Sequence, residues 1–543
     1  MSPQYFPQKQ PSSDRFRLLL SPWFLTVMMI MLLGCQSQQP QGEPLVAASD
    51  TTVPTIRATE LPATFTPTPD TTVTPPKAAT PKASKTPHVI NVGSAKTTPT
   101  VAIPQARTPG PTVSPDLACE YAKIGQNQFL SNIAARQGVS VADIVEHSDI
   151  ENPDFVGVGQ GIIIPHPARH YTPDEILLPD SELVYGTGYV NFDIDEFISS
   201  HPGYLASFSM LNELGETWTG ADIIERVALR FSVGPRVLLA LMEARSGWVT
   251  NPEPTAYDIE RPVGHLGGPG NLLIQLEWAA NELNKGFYGW QDRGETAIRF
   301  HDGVIARGAP GLNPGTVAIQ RVLARDSNYA DIEEELAAFV DAYKRLFGDP
   351  SQHDAGPVLP AGLEQPDMQL PWAKGEMWYL SGGPHGGWAS GSGWAALDFV
   401  PENAVSGGCI PADSWATTAA SGLVARNDRG ELLIDLDEDG DVRTGWVLQY
   451  LHITDRVPEG STLAAGDPVG RPACDGGATI STHLHIARRY NGLWVAAAGP
   501  VPFDLGGWKA TGGFEYDGGM IGPDGEERTA CECRDEAVNG LSW

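Results

Sequence analysis

The chain has 543 residues, a formal net charge of −30 and a sequence pI near 4.7. That length calls for several domains, and so acidic a surface excludes nucleic acid as the partner. It also gives no general attraction to other polyanions.

The first residues read as an export signal. Arg15 and Arg17 precede an apolar run from Leu18 to Leu33, which is short for a membrane span. The run ends in Leu32-Leu33-Gly34-Cys35, followed at once by polar Gln36-Ser37-Gln38-Gln39. This resembles the bacterial lipobox. The resemblance implies that residues 1–35 are a lipoprotein signal peptide, that Cys35 carries lipid, and that the rest is extracytoplasmic, anchored to the membrane and facing the cell wall. Disulfides are permitted there. Of the remaining cysteines, Cys119, Cys409, Cys474, Cys531 and Cys533, an odd number, at least one stays unpaired within the chain. Cys409 and Cys474 flank one predicted strand region and are the pair expected to bridge. Cys531 and Cys533 are too near in sequence for an unstrained local bond.

Residues 36–116 are rich in Thr, Pro, Ala and Ser, with repeated Thr-Pro pairs such as Thr66-Pro67-Thr68-Pro69. Such a stretch cannot bury a core and is expected to be a disordered, semi-rigid spacer. Order begins near Cys119. Tyr121–Gly125 reads as a strand, Leu130–Gly138 and Val141–Val145 as a helix pair with Ser140 capping the second, and Val158–Pro165 as a closing strand. Residues 117–167 thus resemble a LysM domain, a small βααβ module, which implies binding to N-acetylglucosamine-containing glycans. Asn127-Gln128-Phe129 stands where the family has Gly-Asp-Thr, and Ser148 falls near its usual Asn.

Residues 172–350 change to helical apolar spacing, clearest in Ile223–Phe231, Val237–Glu243 and Ile332–Val340. The run Val233 to Trp248 resembles the segment of lysozyme-like lytic transglycosylases that ends in Glu-Ser-Gly. In that family the catalytic acid directly precedes the Ser; here Arg245 does, and an arginine cannot act as general acid. Glu243 lies two positions earlier. The segment is therefore expected to be a degenerate lysozyme-like helical insert without catalysis of its own.

Residues 356–371 read as a linker, and 372–543 as an all-β domain of short strands and glycine turns. In Thr482-His483-Leu484-His485-Ile486-Ala487, strand alternation puts both histidines on one face. His385 stands in Gly382-Gly383-Pro384-His385, Asp398 in Ala396-Leu397-Asp398-Phe399, and His452 in Tyr450-Leu451-His452. The joint pattern resembles the zinc metalloendopeptidases of the beta-lytic and staphylolysin type, relatives of lysostaphin and LytM. Carried over by position, the resemblance implies His385, Asp398 and His485 as zinc ligands and His452 and His483 as catalytic histidines. It also implies the peptide part of peptidoglycan as substrate, with the LysM module holding the protein on glycan and the chain acting as a monomer. The contrasting reading is a catalytically silent wall-binding scaffold, or an activator of another wall hydrolase.

One acidic run, Asp435-Leu436-Asp437-Glu438-Asp439-Gly440-Asp441, resembles the start of a calcium loop. Trp446 occupies the twelfth position, where an EF-hand needs glutamate. An acidic hairpin turn is the simpler account, with a weak calcium site at Asp435, Asp437 and Asp439 as the second.

Overall fold

The computed structural model describes residues 116–148, 150–268 and 270–543. The lipobox with Cys35 and the spacer to residue 115 lie outside the described residues. All of the described residues belong to one compact unit, and no described helix is long and apolar enough to cross a membrane.

The first module is built as β1 (Leu117–Lys123), α1 (Leu130–Gln137), α2 (Val141–Ser148) and β2 (Gly161–Pro167). Gly138 ends α1 in the left-handed region, φ 70°, where glycine meets no Cβ penalty. Ser140 Oγ accepts from the Asp143 N–H while the Asp143 carboxylate accepts from the Ser140 N–H, a reciprocal cap for α2. Both strands lie a few residues away from their predicted positions. The antiparallel register runs from Leu117 opposite Pro167 to Lys123 opposite Gly161, and such pairing decides boundaries that local pattern does not. Ile124, Leu130, Ile133, Ile144, Ile162 and Ile164 form the module's own small core.

The middle region is helical. Its longer helices are α3 (Gly220–Phe231), α4 (Pro235–Ser246), α5 (Leu272–Asp292), α6 (Pro314–Ala324) and α7 (Ile332–Phe347). Thr219 and Asp222 form a capping box at the start of α3, and Pro235 opens α4 where its missing N–H costs nothing. At the crossing of α5 and α6 a Cβ on Gly286 would lie 2.6 Å from Ala318 Cα, so only glycine allows that approach. Phe287 and Tyr288 are buried in the core. Glu243 is buried, its carboxylate taken by the Thr250 hydroxyl (2.6 Å) and N–H (3.1 Å). Arg245 donates to Glu335 at 2.7 Å.

The C-terminal region centres on a nine-stranded sheet. Its main strands are β3 (Trp378–His385), β4 (Ala396–Pro401), β5 (Gly422–Asp428), β6 (Glu431–Asp435), β7 (Trp446–Leu451) and β8 (Leu484–Tyr490). Across the sheet they run in the order β5, β6, β7, β8, β4, β3, antiparallel throughout. One apolar core lies among Trp372, Trp378, Phe399, Leu448, Tyr450 and Ile486. Met368 and Leu370 belong to it, so the tail of the predicted 356–371 linker is built into the domain. A second core joins the sheet to the helices: Ala395, Ala396, Ala487, Leu493 and Trp494 pack with the residues of α3 to α7. Arg489, fully buried on β8, donates to the last carbonyls of α3, at Leu229 (2.8 Å) and Arg230 (3.4 Å).

Cys409 and Cys474 are disulfide-bonded, and buried Cys119 is free. Cys531 and Cys533 are also joined. The chain doubles back there, bringing the Cα atoms to 5.1 Å, because the Asn539 amide donates to both cysteine carbonyls (3.3 and 2.9 Å) and to Leu380 O.

Candidate metal centre

The five residues singled out in the β-domain come from four separate stretches of chain, and sheet pairing gathers them. In the register of β8 with β4, His485 stands opposite Asp398. Asp398 pairs with Gly382 of β3, where a Cβ would lie 2.9 Å from the Asp398 carboxylate. A shift of register after Gly382 then turns the end of β3 so that His385 faces the same point. His452 follows β7 with φ 58°, a conformation uncommon outside glycine. His483 precedes β8 instead of lying within it, in a bridge with Ala473, whose N–H donates to His452 O at 2.6 Å.

Three atoms converge. His385 Nε2 lies 3.0 Å from His485 Nδ1 and 3.2 Å from Asp398 Oδ1, and His485 Nδ1 lies 3.1 Å from the same oxygen. The far nitrogen of each ring faces a carbonyl, His385 Nδ1 to Gly383 O (2.8 Å) and His485 Nε2 to Gly387 O (3.2 Å). A carbonyl only accepts, so each far nitrogen carries the proton and each near nitrogen presents a lone pair. Two lone pairs and a carboxylate oxygen therefore face one another in a buried place. Without a cation they repel; around a tetrahedral zinc with bonds of about 2.0–2.1 Å, ligands stand about 3.3 Å apart, close to these separations. The same carbonyls fix ring orientation from behind, as outer partners of metal-binding histidines do. Among the described residues, these three form one of two groups of His, Cys, Asp or Glu close enough to hold a metal ion.

Without a metal ion the cluster draws in a proton in its place. Burial works against the Asp398 charge, but the His385 and His483 rings outweigh it and hold the carboxyl well below its usual range. Burial also opposes charge on His385, yet Asp398 overcomes it and raises that pKa. His485 is lowered, chiefly by burial. His452 is pulled down to about 3 by burial and then by the His483 and His485 rings, so it is neutral near pH 7. Its Nδ1 is buried without a hydrogen-bonding partner among the described residues. The His452 and His483 ring centroids are 4.6 Å apart, and His483 Nε2 lies 3.7 Å from Asp398 Oδ1. The two rings thus stand beside the three-atom cluster without belonging to it.

Tyr516 was not legible as part of this site. It lies between the short strands Trp508–Thr511 and Gly519–Ile521, with φ 68°, and its ring stacks on His385 at 4.2 Å between centroids. An isolated Tyr in a glycine-rich loop gives no periodic signal, and only its positive φ marks it as unusual.

The acidic turn between β6 and β7 is the other such group. Its carboxylates are engaged by their own loop: Asp435 accepts from the Asp437 and Gly440 N–H groups, Asp439 from Thr444 and Asp441, and Asp441 from Arg443. That is the pattern of a self-satisfied hairpin turn.

Comparison with known proteins gives two family matches. Residues 123–165 match the LysM domain, and residues 176–360 match "LasA, N-terminal domain", in place of the lysozyme-like insert expected over 172–350. No curated protein matches the chain. Similar solved structures include the M23 metalloprotease pseudoalterin, described as from the deep sea, at 23% identity over 31% of this chain and 96% of that one, TM-score 0.25. Csd3 of Helicobacter pylori aligns at 16% identity over 25% of this chain and 34% of its own, TM-score 0.17. The catalytic domain of lysostaphin from Staphylococcus simulans aligns at 23% identity over 23% of this chain and 89% of its own, TM-score 0.15. With a LysM match and a LasA N-terminal match side by side, the chain resembles the LysM-containing peptidases of the beta-lytic, staphylolysin and LytM type.

Proposed function

We propose that the protein is a zinc metalloendopeptidase of the cell envelope that hydrolyses the peptide part of peptidoglycan, held on glycan by its LysM module. The observation that carries this reading is the convergence of two imidazole lone pairs and one carboxylate oxygen, with two further histidines beside them. His385 Nε2, Asp398 Oδ1 and His485 Nδ1 would hold the metal. Zinc, when bound, supplies a polarised scissile carbonyl and a water acidified toward neutral pH.

The remaining chemistry belongs to the chain. There is no glutamate base of the His-Glu-x-x-His kind in the sequence around these ligands. His452 and His483 stand where such a base would act. His483 Nδ1 donates to Ser481 O at 2.9 Å, which leaves its Nε2 free to accept a proton on the side of Asp398. His452, neutral because buried, can donate a hydrogen bond to developing negative charge without carrying charge into the ground state. Tyr516 is half-exposed and its phenol stays protonated, since burial and then Asp398 and Glu515 raise its pKa. It therefore offers a neutral hydroxyl at the rim of the site.

The reading includes the lipid anchor at Cys35, which would keep the protein at the membrane with its spacer reaching into the wall. The scaffold reading is tested against it directly. Purified peptidoglycan incubated with the protein should release new amino groups, cease to do so with a chelator, and resume on addition of zinc. Sedimentation with peptidoglycan unaccompanied by amino-group release under any of the three conditions would leave the scaffold.

A further inference from the structure

Between α3 and the β5–β6 hairpin lies a cluster of four arginines, Arg226, Arg230, Arg426 and Arg429. Three of them converge on one carboxylate oxygen, Asp428 Oδ2: Arg226 at 2.8 Å, Arg426 at 3.0 Å and Arg230 at 3.5 Å. The other nearby acids are held more loosely. Glu431 lies 3.6 Å from Arg426 and is also bonded to Gln449. Glu213 and Glu216 reach Arg429 only at 3.4 and 3.8 Å and are mostly in solvent. Half-buried Glu277 also faces Arg226 and Arg230, so the four guanidinium groups are matched in charge but not in hydrogen bonds.

The cluster also keeps unused donors. Arg226 Nε and Nη2, Arg230 Nε and Arg429 Nη2 are buried with no acceptor within hydrogen-bonding range among the described residues. Burial lowers the pKa of Arg226 and Arg230, and their arginine neighbours lower it further. Such a gathering is unfavourable by itself and improves when an anion joins it. Two tryptophans wall it. Arg226 and Arg429 stack on Trp218 at 4.6 and 4.9 Å, and Arg230 on Trp388 at 4.9 Å.

Position ties the cluster to the histidines. Arg429 occupies the tip of the β5–β6 hairpin with φ 46°, a place that favours Asn, Asp or Gly. Gly430 beside it lies against Asp475 and Gly476, and a Cβ on the next residue, Gly477, would be 3.1 Å from His452 Cε1. On the other side, Trp388 adjoins Gly387, whose carbonyl holds His485. The cluster is therefore bounded by the two loops that flank the metal centre.

We propose that Arg226, Arg230, Arg426 and Arg429, walled by Trp218 and Trp388, form a subsite for a carboxylate of the peptide substrate. This rests on the peptidase reading above and adds a role for the helical region, which supplies two of the four guanidinium groups. Planar guanidinium groups match a carboxylate in paired hydrogen bonds, and stacking on indole holds them flat for it.

The test compares a cross-linked muropeptide with the same material after its carboxyl groups are converted to amides, using zinc-loaded protein. Both cleavage and equilibrium binding are measured. The unmodified protein should show kcat/KM about tenfold or more higher for the free carboxylate, the scale of a charge-assisted hydrogen bond. In Arg429→Gln, at the hairpin tip, and in Arg230→Gln, the carboxylate-to-amide ratio should move toward one, with circular dichroism confirming the fold. Equal cleavage of both substrates by the unmodified protein, or variants that keep its ratio, would overturn the subsite. Binding that prefers the carboxylate without any cleavage would keep the subsite and remove the peptidase reading instead.

Discussion

Tyr516 and His385 show how much depends on single contacts at the candidate metal centre. The ring of Tyr516 packs on His385 while the His385 Nδ1 proton is held by Gly383 O. Tyr516→Phe keeps the stacking and removes only the hydroxyl. If that hydroxyl supports negative charge on the reacting carbonyl, the variant retains zinc and loses about 10²-fold in kcat, the usual scale for one such donor. Unchanged kcat with zinc retained would assign Tyr516 to packing alone. At the acidic turn a different balance operates. Burial first, then its hydrogen bond with Asp437, raises Asp435 from 3.8 to about 7. A raised acid stabilises the fold fully below its unfolded value, and that contribution is lost as pH rises through about 7. Asp437→Asn removes the neighbouring negative charge. Between about pH 5 and pH 8 its melting temperature should fall less than that of the unmodified protein; parallel curves would contradict the assignment.

At the scale of elements, β8 carries most of the organisation. Its His485 faces the candidate metal centre, its Ile486 and Leu484 enter the sheet core, and its Arg489 caps α3. Arg489→Met would leave carbonyls at the end of α3 without their donor, at a cost of about 1–3 kcal/mol, readable as a lower urea midpoint. The Cys409–Cys474 bridge closes a separation of 65 residues and ties the loop before His483 to the segment after β4. The chain-entropy account gives such a bridge about 4 kcal/mol; the Cys409→Ala, Cys474→Ala double variant should unfold at clearly lower denaturant. An unchanged midpoint would mean that the loops are held by their other contacts, among them Thr482 with Gly408 and Ile410. Element types in the β-domain were legible because alternation and glycine turns are strong local signals. The convergence of His385, Asp398 and His485 was legible only through the joint motif, since no local pattern reports which strands pair. The Arg cluster was not legible at all: its members come from residues about 200 apart in sequence, and none belongs to a motif.

For the whole molecule, the order of modules was readable from composition and periodicity, but their degree of fusion was not. The LysM module has its own core, yet Tyr121 packs edge-on to Trp394 at 5.4 Å and stacks with Phe514 at 6.1 Å, and Lys123 pairs with Glu515 at 2.6 Å. The helices and the sheet share one core through Trp494, which is fully buried. Sequence shows that Trp494 is large and apolar, but not which side of the sheet a second layer covers. Trp494→Ala should therefore destabilise the helical region and the sheet together, by about 3–5 kcal/mol, and calorimetry should show one transition for both. Two separate transitions, with only one shifted, would contradict a shared core.

The central claim is the division of roles within the histidine cluster: His485 holds the metal and His483 does chemistry. Zinc content and muropeptide hydrolysis, measured together on the unmodified protein, His483→Ala and His485→Ala, test it most directly. The account predicts one zinc per chain in the unmodified protein and in His483→Ala, with turnover in the latter lower by about 10²–10⁴-fold. His485→Ala should lose both zinc and turnover. Loss of zinc from His483→Ala, or an unmodified protein that binds no zinc, would contradict it.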